Sequence, residues 1–429
     1  MTHLRHREQG PAPGGPRPTR RTAALALVSA ALAVAAAPVA AAAPRPAPSP
    51  RPAPSRAPVP AALPGSDAAR AALTRALDTL VSRHGIPGVA AEVSDPRRGR
   101  WSATRGVADL TNRRPMRVED RFRIGSVSKT FTATVVVQLA AEGRIGLDAP
   151  VERYLPGLLR GGGHDGRTVT VRQLLQHTSG LPDHVESVAG LPVDSWRYRH
   201  FEPRELIATA LAMPRPDKPW HYSTTNTLVA GLVVEKVTGR GVEEEVTRRI
   251  LRPLGLRDTY WPGDGTRIRG PHSRSYFTGP DAPEGTPPQS DGTEWNMTFG
   301  GAGGALVSTP SDLNRFLGAL FGGELLPPRF VAEMRRTVPA DPDRLWPGAR
   351  YGLGLIASPL ECGGWWWGHA GSVPGGHRAL VAVGPGGRGV ALALTAVPAT
   401  DRAEQDFRTA VSTALCSADH GTGHPKETS

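Results

Sequence analysis

Ser126 and Lys129 stand three residues apart in the stretch "RIGSVSKTFTATVVVQLAAEG", which covers residues 123–143. The apolar run around them predicts a helix, and residues three apart lie on one helix face about one turn from each other. A serine hydroxyl becomes a useful nucleophile only when a base takes its proton. Lysine can be that base when burial and the positive end of a helix dipole disfavour its ammonium form. The pair therefore predicts an activated serine or, alternatively, two solvated side chains on a surface helix.

Lysine is scarce in this chain, which makes its place near a serine informative. Of 51 basic residues only four are lysines, at positions 129, 218, 236 and 426. The residues "RIGS" predict a strand and a turn, which would put Ser126 at the N-terminus of the helix with an unpaired backbone N–H. That N–H is a candidate donor to the oxyanion formed during acyl transfer.

Two later stretches contain residues that could complete such a site. In "WHYSTTN" (220–226), Tyr222 precedes a predicted helix and could pass protons beside a lysine, although a half-buried core tyrosine fits equally. In "WWWGHAGSVPGG" (365–376), a strand ends in small residues whose backbone can approach a substrate closely. The Ser372 N–H is a candidate second oxyanion donor there, whereas His369 suits a structural role better than that of a base.

Other reaction classes have little support in the sequence. It contains no G-x-S-x-G, H-E-x-x-H or C-x-x-C motif and no phosphate-binding glycine loop. The histidines at positions 177, 184 and 221 are too scattered to suggest a metal site, and we expect neither a metal nor a cofactor. The arginines are dispersed, which favours attraction to anionic polymers at a cell surface over nucleic-acid binding.

The N-terminal residues predict export. In residues 1–43, Arg20 and Arg21 precede an alanine-rich run that ends in small residues, which is typical of a secretory signal peptide, with a membrane anchor as the alternative. Residues 44–65 alternate Pro, Ala and Arg and predict an extended linker. The leader carries five arginines and one glutamate, so its removal would lower the formal net charge from +12 to +8. We expect a secreted or cell-wall-associated monomer without a stable membrane span.

The remaining chain predicts one catalytic domain, residues 66–418, followed by a flexible tail, residues 419–429. Helices are expected at residues 66–84 and 401–416, strands near both ends, including a single strand "YGLGLIAS" at 351–358, and mainly helices between. This order predicts an α+β fold in which a central antiparallel sheet is covered by the terminal helices and carries an inserted, mostly helical region. Cys362 and Cys416 favour a disulfide in an exported protein, with two buried thiols as the alternative.

Taken together, these features resemble the serine penicillin-recognising enzymes, and in particular the class C β-lactamase-related branch with the secreted D-alanyl-D-alanine carboxypeptidases of actinobacteria. Three motifs occur in family order, namely "SVSK" from Ser126, "YST" from Tyr222 and "HAG" from His369 to Gly371. The resemblance implies an acyl-enzyme on Ser126 and a proton network of Lys129 and Tyr222. It also implies an oxyanion hole from the N–H groups of Ser126 and Ser372 and a substrate-binding role for Thr224, His369 and Gly371. The Cys362–Cys416 pairing resembles the same carboxypeptidases.

Two departures from the family pattern bear on the substrate. Thr224 occupies the motif position that is usually Asn, whose carboxamide contacts the substrate's amide in the family. Ala370 stands where the carboxypeptidases often have a hydroxyl residue that helps to hold a terminal carboxylate.

These features favour a D-alanyl-D-alanine carboxypeptidase acting on peptidoglycan peptides. A β-lactamase, a D-amino-acid peptidase and an esterase are the enzymatic alternatives, and the two departures strengthen the case for the esterase. A cell-envelope binding module without activity is the remaining alternative, against which the intact Ser126, Lys129 and Tyr222 argue.

Overall fold

The computed structural model describes residues 66–278 and 286–416. The predicted leader, linker and C-terminal tail lie outside these residues. The main sheet of the described part has eight strands, which are, in chain order, β1 (Gly88–Asp95), β2 (Gly99–Gly106), β3 (Val338–Pro339), β4 (Arg350–Tyr351), β5 (Ile356–Pro359), β6 (Trp365–Ser372), β7 (Arg378–Val383) and β8 (Gly389–Leu394).

Both ends of the chain contribute to this antiparallel sheet, whose spatial order is β2-β1-β8-β7-β6-β5-β4-β3. The two ends meet where β1 pairs with β8, with Val89 opposite Leu394. The predicted α+β arrangement is therefore confirmed. Three shorter strand pairs of the described residues lie outside the sheet: Phe122–Arg123 with Val307–Ser308, Arg160–Gly161 with His164–Asp165, and Tyr276–Phe277 with Ser290–Asp291.

The α-helices of the described residues occur mainly between β2 and β3, as the sequence predicted. They are α1 (Ser66–Ser82), α2 (Ser128–Ala141), α3 (Val171–Gln176), α4 (His184–Ala189), α5 (Val193–Trp196), α6 (Pro203–Leu211), α7 (Thr224–Thr238), α8 (Val242–Val246), α9 (Arg252–Leu254), α10 (Pro310–Phe321), α11 (Pro328–Met334) and α12 (Asp401–Cys416). None of the helices in the described part of the chain has the length and apolar character needed to cross a membrane.

The sheet is buried on both faces, and alternate residues of its strands belong to different cores. In β8, Leu392 and Leu394 pack in the cluster that contains the apolar residues of α1 and α12. Ala391 and Ala393 point the other way and pack in the larger cluster, which contains α2, α7 and α10. Side chains alternate between the faces of a strand, so a fully apolar strand such as β8 requires a cover on each side.

Helix α2 is buried on all sides although it carries several hydroxyl groups. The Thr130 hydroxyl donates to the Gly354 carbonyl at 2.8 Å, and the Thr132 hydroxyl donates to the Ala302 carbonyl at 2.7 Å. Buried polar groups are tolerated when each has a hydrogen-bond partner. These bonds attach α2 to the loops that surround the site described below.

The prediction of one strand at residues 351–358 is wrong. The structure forms two strands, β4 and β5, joined by a tight turn in which Gly352 N–H donates to Leu355 O at 2.8 Å. Gly354 adopts φ 68° in this turn, a left-handed conformation that glycine accepts without strain. Its N–H donates to Leu175 O at 2.9 Å, while its carbonyl accepts from Thr130 of α2. The turn therefore packs against α2, a long-range contact that the local pattern does not reveal.

Candidate active site

Ser126 lies in a short 3₁₀ turn, Gly125–Val127, immediately before α2 and beside the end of β6. The approach is close enough to exclude side chains at two glycines. A Cβ on Gly371 would lie 2.8 Å from Ser126 N, and a Cβ on Gly125 would lie 2.8 Å from Ser372 N. The backbone amides of Ser126 and Ser372, which the sequence predicted as oxyanion donors, are therefore held next to one another.

Lys129 is 2% exposed, and its ammonium nitrogen is enclosed by three oxygen atoms. The Nζ atom lies 3.1 Å from Ser126 Oγ, 3.2 Å from Thr224 Oγ1 and 3.0 Å from Gly303 O. Burial lowers the pKa of Lys129 from 10.5 to about 8, although the Asp183 carboxylate opposes the shift. At neutral pH about a tenth of the molecules then carry a neutral amine, because the pKa lies roughly one unit higher. That amine is positioned to take a proton from Ser126.

Tyr222 lies beside the same two groups, just before α7. Its ring centroid is 4.9 Å from Lys129 Nζ, and its phenol is a hydrogen-bonding neighbour of the Ser126 side chain. Burial raises the pKa of the Tyr222 phenol above its ordinary value, and the contact with Ser126 opposes that shift. Tyr222 therefore remains protonated at neutral pH, which suits a relay that donates one proton while it accepts another.

His369, in β6, is buried with both ring nitrogens bonded inside the protein. Its Nδ1 lies 2.5 Å from Ala370 O and its Nε2 lies 2.8 Å from Tyr351 Oη. A carbonyl can only accept, so Nδ1 carries the proton and Nε2 accepts the hydrogen bond from Tyr351. Burial and the nearby Lys129 charge lower the pKa of His369 to about 3. The ring is thus a neutral positioning group, as the sequence favoured, and it presents no free nitrogen to a substrate.

The three remaining motif residues differ in what their side chains or backbone contact: they are Thr224, Ala370 and Gly371. Thr224 is the first residue of α7; its Oγ1 accepts from Lys129, and its N–H donates to Asp183 Oδ1 at 3.0 Å. Gly371 contacts the Ser126 turn, whereas Ala370 is buried in the core on the α1–α12 side of the sheet. The Thr224 hydroxyl is therefore engaged with the lysine, and the side chain at position 370 contributes no polar group.

Four residues of the site's surroundings were not predicted from the sequence. They are His177, Asp183, Gly303 and Tyr351. The His177 ring lies 4.5 Å from the Tyr222 ring and 4.7 Å from the Tyr351 ring, measured between centroids. His177 and Asp183 belong to the stretch "LLQHTSGLPD", residues 174–183, and Tyr351 begins the stretch "YGLGL". Only the folded chain shows that they surround Tyr222 and Lys129.

Cys362 and Cys416 form a disulfide with a Cα–Cα distance of 5.7 Å. It joins the loop before β6 to the last residue of α12. The bond therefore connects the strand that ends at Ser372 to the helical layer on the far side of the sheet. Within residues 66–278 and 286–416, no group of three His, Cys, Asp or Glu side chains is arranged to hold a metal ion.

Comparison with known proteins places this geometry in a family. The family model named Beta-lactamase matches residues 73–415. A D-stereospecific amidohydrolase from Streptomyces sp. is 40% identical, with a TM-score of 0.72 over 81% of this chain and 99% of that one. Penicillin-binding protein 4* of Bacillus subtilis is 27% identical over 63% of this chain and 59% of its own length. Esterase EstB of Burkholderia gladioli is 36% identical over 37% of this chain and 43% of its own length.

The matches to penicillin-binding protein 4* and to esterase EstB each span less than two thirds of the relative's own length. The activities of these two relatives are therefore not assigned to this chain. The family itself does not depend on them, since its model extends from α1 to α12. The predicted motifs and the α+β fold both lie inside that range. The chain therefore belongs to the β-lactamase family of serine hydrolases.

Proposed function

We propose that this protein is an amidohydrolase that forms an acyl-enzyme on Ser126 and acts on amides and short peptides of D-amino acids. The observation that carries the proposal is the 3.1 Å contact between Lys129 Nζ and Ser126 Oγ in a buried site. Burial keeps part of the lysine neutral, and a neutral amine at this distance can take the serine proton.

The first step forms the acyl-enzyme. Ser126 Oγ attacks the scissile carbonyl carbon while its proton passes to the Lys129 amine. The oxygen that becomes negative accepts hydrogen bonds from the Ser126 and Ser372 amides, whose fixed positions favour the tetrahedral state. Tyr222 then donates its proton to the leaving nitrogen and regains one from Lys129 as the C–N bond breaks. Ammonia or an amine leaves, and the acyl group stays on Ser126.

The second step reverses these proton movements. Water attacks the ester on Ser126, and its proton passes through the Tyr222–Lys129 pair to Ser126 Oγ as the acyl–oxygen bond breaks. The products are the free acid and the original serine. His369 takes no proton in this scheme, because both of its ring nitrogens are already bonded and its pKa lies near 3.

Two observations support a D-amino-acid amide or peptide as the substrate. The D-stereospecific amidohydrolase from Streptomyces sp. is 40% identical to this chain over nearly all of its own length. In addition, Ala370 provides no hydroxyl for a terminal carboxylate, so a substrate with a neutral carboxyl end loses no contact there. We further propose, from the predicted leader, that the enzyme acts outside the cell.

A D-alanyl-D-alanine carboxypeptidase, the activity favoured by the sequence, is the second candidate. It is supported by similarity to penicillin-binding protein 4* of Bacillus subtilis and to penicillin-binding protein 4 of Amycolatopsis lactamdurans, which is 30% identical over 56% of this chain and 60% of its own length. The two candidates share the acyl-serine chemistry and differ in whether a free carboxylate is bound.

A substrate panel with mass analysis of the intact protein tests the proposal. We expect hydrolysis of D-phenylalanine amide, little hydrolysis of its L-enantiomer, and a covalent adduct with a penicillin that is absent from Ser126→Ala. Ser128→Ala is the matched control, because Ser128 is buried two residues away and its hydroxyl accepts from Leu306 N–H. Faster release of D-alanine from a D-Ala-D-Ala peptide would favour the carboxypeptidase. Absence of both an adduct and turnover of amide, peptide and ester would refute the acyl-serine mechanism.

A further inference from the structure

Asp183 is a buried carboxylate that the proposed reaction does not use. It is 7% exposed and lies at the N-terminus of α4. Its Oδ1 accepts from the Val185 N–H at 3.2 Å and from the Thr224 N–H at 3.0 Å. Among the described residues, its ion-pair neighbour within 4.0 Å is a histidine, His184, whose Nδ1 lies 4.0 Å from Oδ1.

The His184 ring does not neutralise this carboxylate. Its Nε2 lies 2.8 Å from the Phe299 carbonyl, which can only accept, so Nε2 carries the ring proton. Its Nδ1 lies 3.0 Å from the Thr225 hydroxyl oxygen, which accepts from the His184 N–H at 3.1 Å and can donate its own proton to Nδ1. Burial lowers the pKa of His184, in agreement with a neutral ring. Backbone N–H groups, and not a bonded cation, therefore hold Asp183 in place.

Thr224 joins Asp183 to Lys129. It is the first residue of α7, and the preceding Ser223 makes no side-chain cap, so its N–H depends on a partner outside the helix. Asp183 Oδ1 is that partner, while Thr224 Oγ1 lies 3.2 Å from Lys129 Nζ. A single residue thus connects the carboxylate to the amine, and the Asp183 charge opposes the burial that lowers the pKa of Lys129.

The contacts of Lys129 Nζ determine where its lone pair can point. A neutral amine has two N–H bonds and one lone pair. The Gly303 carbonyl, 3.0 Å away, can only accept, so it takes one N–H. If the second N–H points to Thr224 Oγ1, the lone pair faces the Ser126 hydroxyl at 3.1 Å. A Thr224 hydroxyl that donated to Nζ would instead occupy the lone pair and leave the serine proton without a base.

The other ionisable groups that face Lys129 are neutral at pH 7. Burial lowers the pKa of the three histidines among them and raises the pKa of the phenol. They are His177, His184, His369 and Tyr222. Among the described residues, Asp183 is thus the charge that opposes burial at the Lys129 amine.

We propose that Asp183 is a positioning residue for the acyl-serine reaction: it fixes Thr224 so that the Lys129 lone pair faces Ser126, and its charge favours the protonated form of Lys129. This role rests on the proposed function only in that Lys129 is the base of Ser126. Asp183 therefore has two opposing effects on the reaction. It improves the geometry of the amine, and it reduces the fraction of neutral amine at a given pH.

The charge effect is measured on Lys129 itself by NMR of the whole protein labelled with ¹³C at the lysine Cε. The chain has four lysines, so the Lys129 signal is identified by its absence from Lys129→Met. We expect its titration midpoint near pH 8 in the wild type and about one unit lower in Asp183→Asn, because the opposing charge is lost. Glu186→Gln is the matched control, since it removes an exposed carboxylate of α4 that is paired with Arg344. An unchanged midpoint in Asp183→Asn would refute the charge effect, whether or not the enzyme hydrolyses any amide.

The positioning effect is measured by kcat at pH 9.5, where the amine is mainly neutral in the wild type and in the variants. Asparagine keeps an oxygen that can accept the Thr224 N–H, whereas alanine does not. We expect kcat to fall about a hundredfold in Asp183→Ala, as for a displacement of about 1 Å in a reacting group, and much less in Asp183→Asn. Equal losses in the two variants would refute the positioning effect.

A second pair of variants covers the case in which Asp183→Ala does not fold. Thr224→Val removes the hydroxyl that accepts from Lys129, and Thr224→Ser keeps it. We expect kcat to be retained far better in Thr224→Ser, and equal kcat values would refute the role of Thr224 in directing the lysine. A wild type that hydrolyses no amide would contradict the proposed function instead, and the NMR titration would still decide the charge effect.

Discussion

Helices α2 and α12 are both built into the core, but they bury different kinds of side chain. Helix α12 buries a single stripe of apolar residues against α1 and the sheet: Ala403, Phe407, Ala410, Val411, Ala414 and Leu415. Helix α2 buries eleven of its fourteen residues, and Lys129 and three threonines are among them. One helix therefore contributes mainly apolar burial, whereas the other holds polar groups that each need a specific partner.

Helix α12 is therefore expected to contribute mainly to stability, whereas α2 is expected to contribute to the reaction. Removal of apolar area around α12 should weaken the fold without altering the reacting groups. Lys129 is the opposite case, because keeping an amine away from water disfavours its charged form and thereby destabilises the folded state at neutral pH. The substitutions below test whether the two helices are as distinct as their contacts indicate.

The largest effect is expected from Lys129→Met. Activity toward an amide substrate should fall at least a thousandfold, since Ser126 loses its base. The free energy of unfolding at pH 7 should stay within about 1 kcal/mol of the wild type or increase, because a buried ammonium group is removed. Steady-state kinetics and urea unfolding measure the two quantities. Lys236→Met, on α7 away from Ser126, is the control, and equal activity of the two variants would contradict the role of Lys129.

Phe407→Ala should have the opposite profile. Phe407 is fully buried in α12, and truncation of such a side chain lowers the free energy of unfolding by about 3–5 kcal/mol. Helix α2, which begins beside Ser126 and contains Lys129, packs in the other core cluster, so kcat should change less than about threefold in molecules that stay folded. Gln405→Ala, at an exposed position of the same helix, is the control. A kcat loss as large as that of Lys129→Met would abolish the distinction between the helices.

Removal of the disulfide should also affect only stability. The bond closes a loop of 54 residues between Cys362 and Cys416. Loss of such a cross-link lowers the free energy of unfolding by about 4 kcal/mol in the chain-entropy model. The double serine variant, compared with the wild type by thermal unfolding and by KM and kcat, measures this. A large change in KM alone would instead indicate that α12 controls the position of β6 through this bond.

The smallest effect is expected for the pH dependence of kcat/KM, which reports the titration of Lys129 in α2. Lys129 must be neutral to act, so kcat/KM should rise about tenfold per pH unit below pH 8 and level off above it. The free energy of unfolding should also increase with pH. Between pH 8 and 10.5 the unfolded chain holds the lysine proton and the folded chain does not, so stability rises with pH in this window. A kcat/KM profile that is flat from pH 6 to 9 would contradict the lowered pKa.

Several features of the fold could be predicted because they depend on neighbours in the chain. The apolar stripe of α12 and the stop of α7 at Gly239, with φ 72°, follow from local spacing and from the freedom of glycine. The division of residues 351–358 into β4 and β5 could not be predicted in this way. It depends on bonds from Gly354 to Leu175 and Thr130, which are far away in the sequence.

The sequence by itself determined the candidate reacting groups, the order of their motifs and the α+β class, because these depend on residue type and on spacing within single elements. Only the tertiary structure decided the state of those groups. Lys129 has a lowered pKa because folding buries its amine, which meets Thr224 and Gly303, the latter 174 residues away. His369 is a neutral support because Tyr351 occupies its second nitrogen. Burial and long-range hydrogen bonds set these properties, and both exist only when distant segments meet in the folded chain.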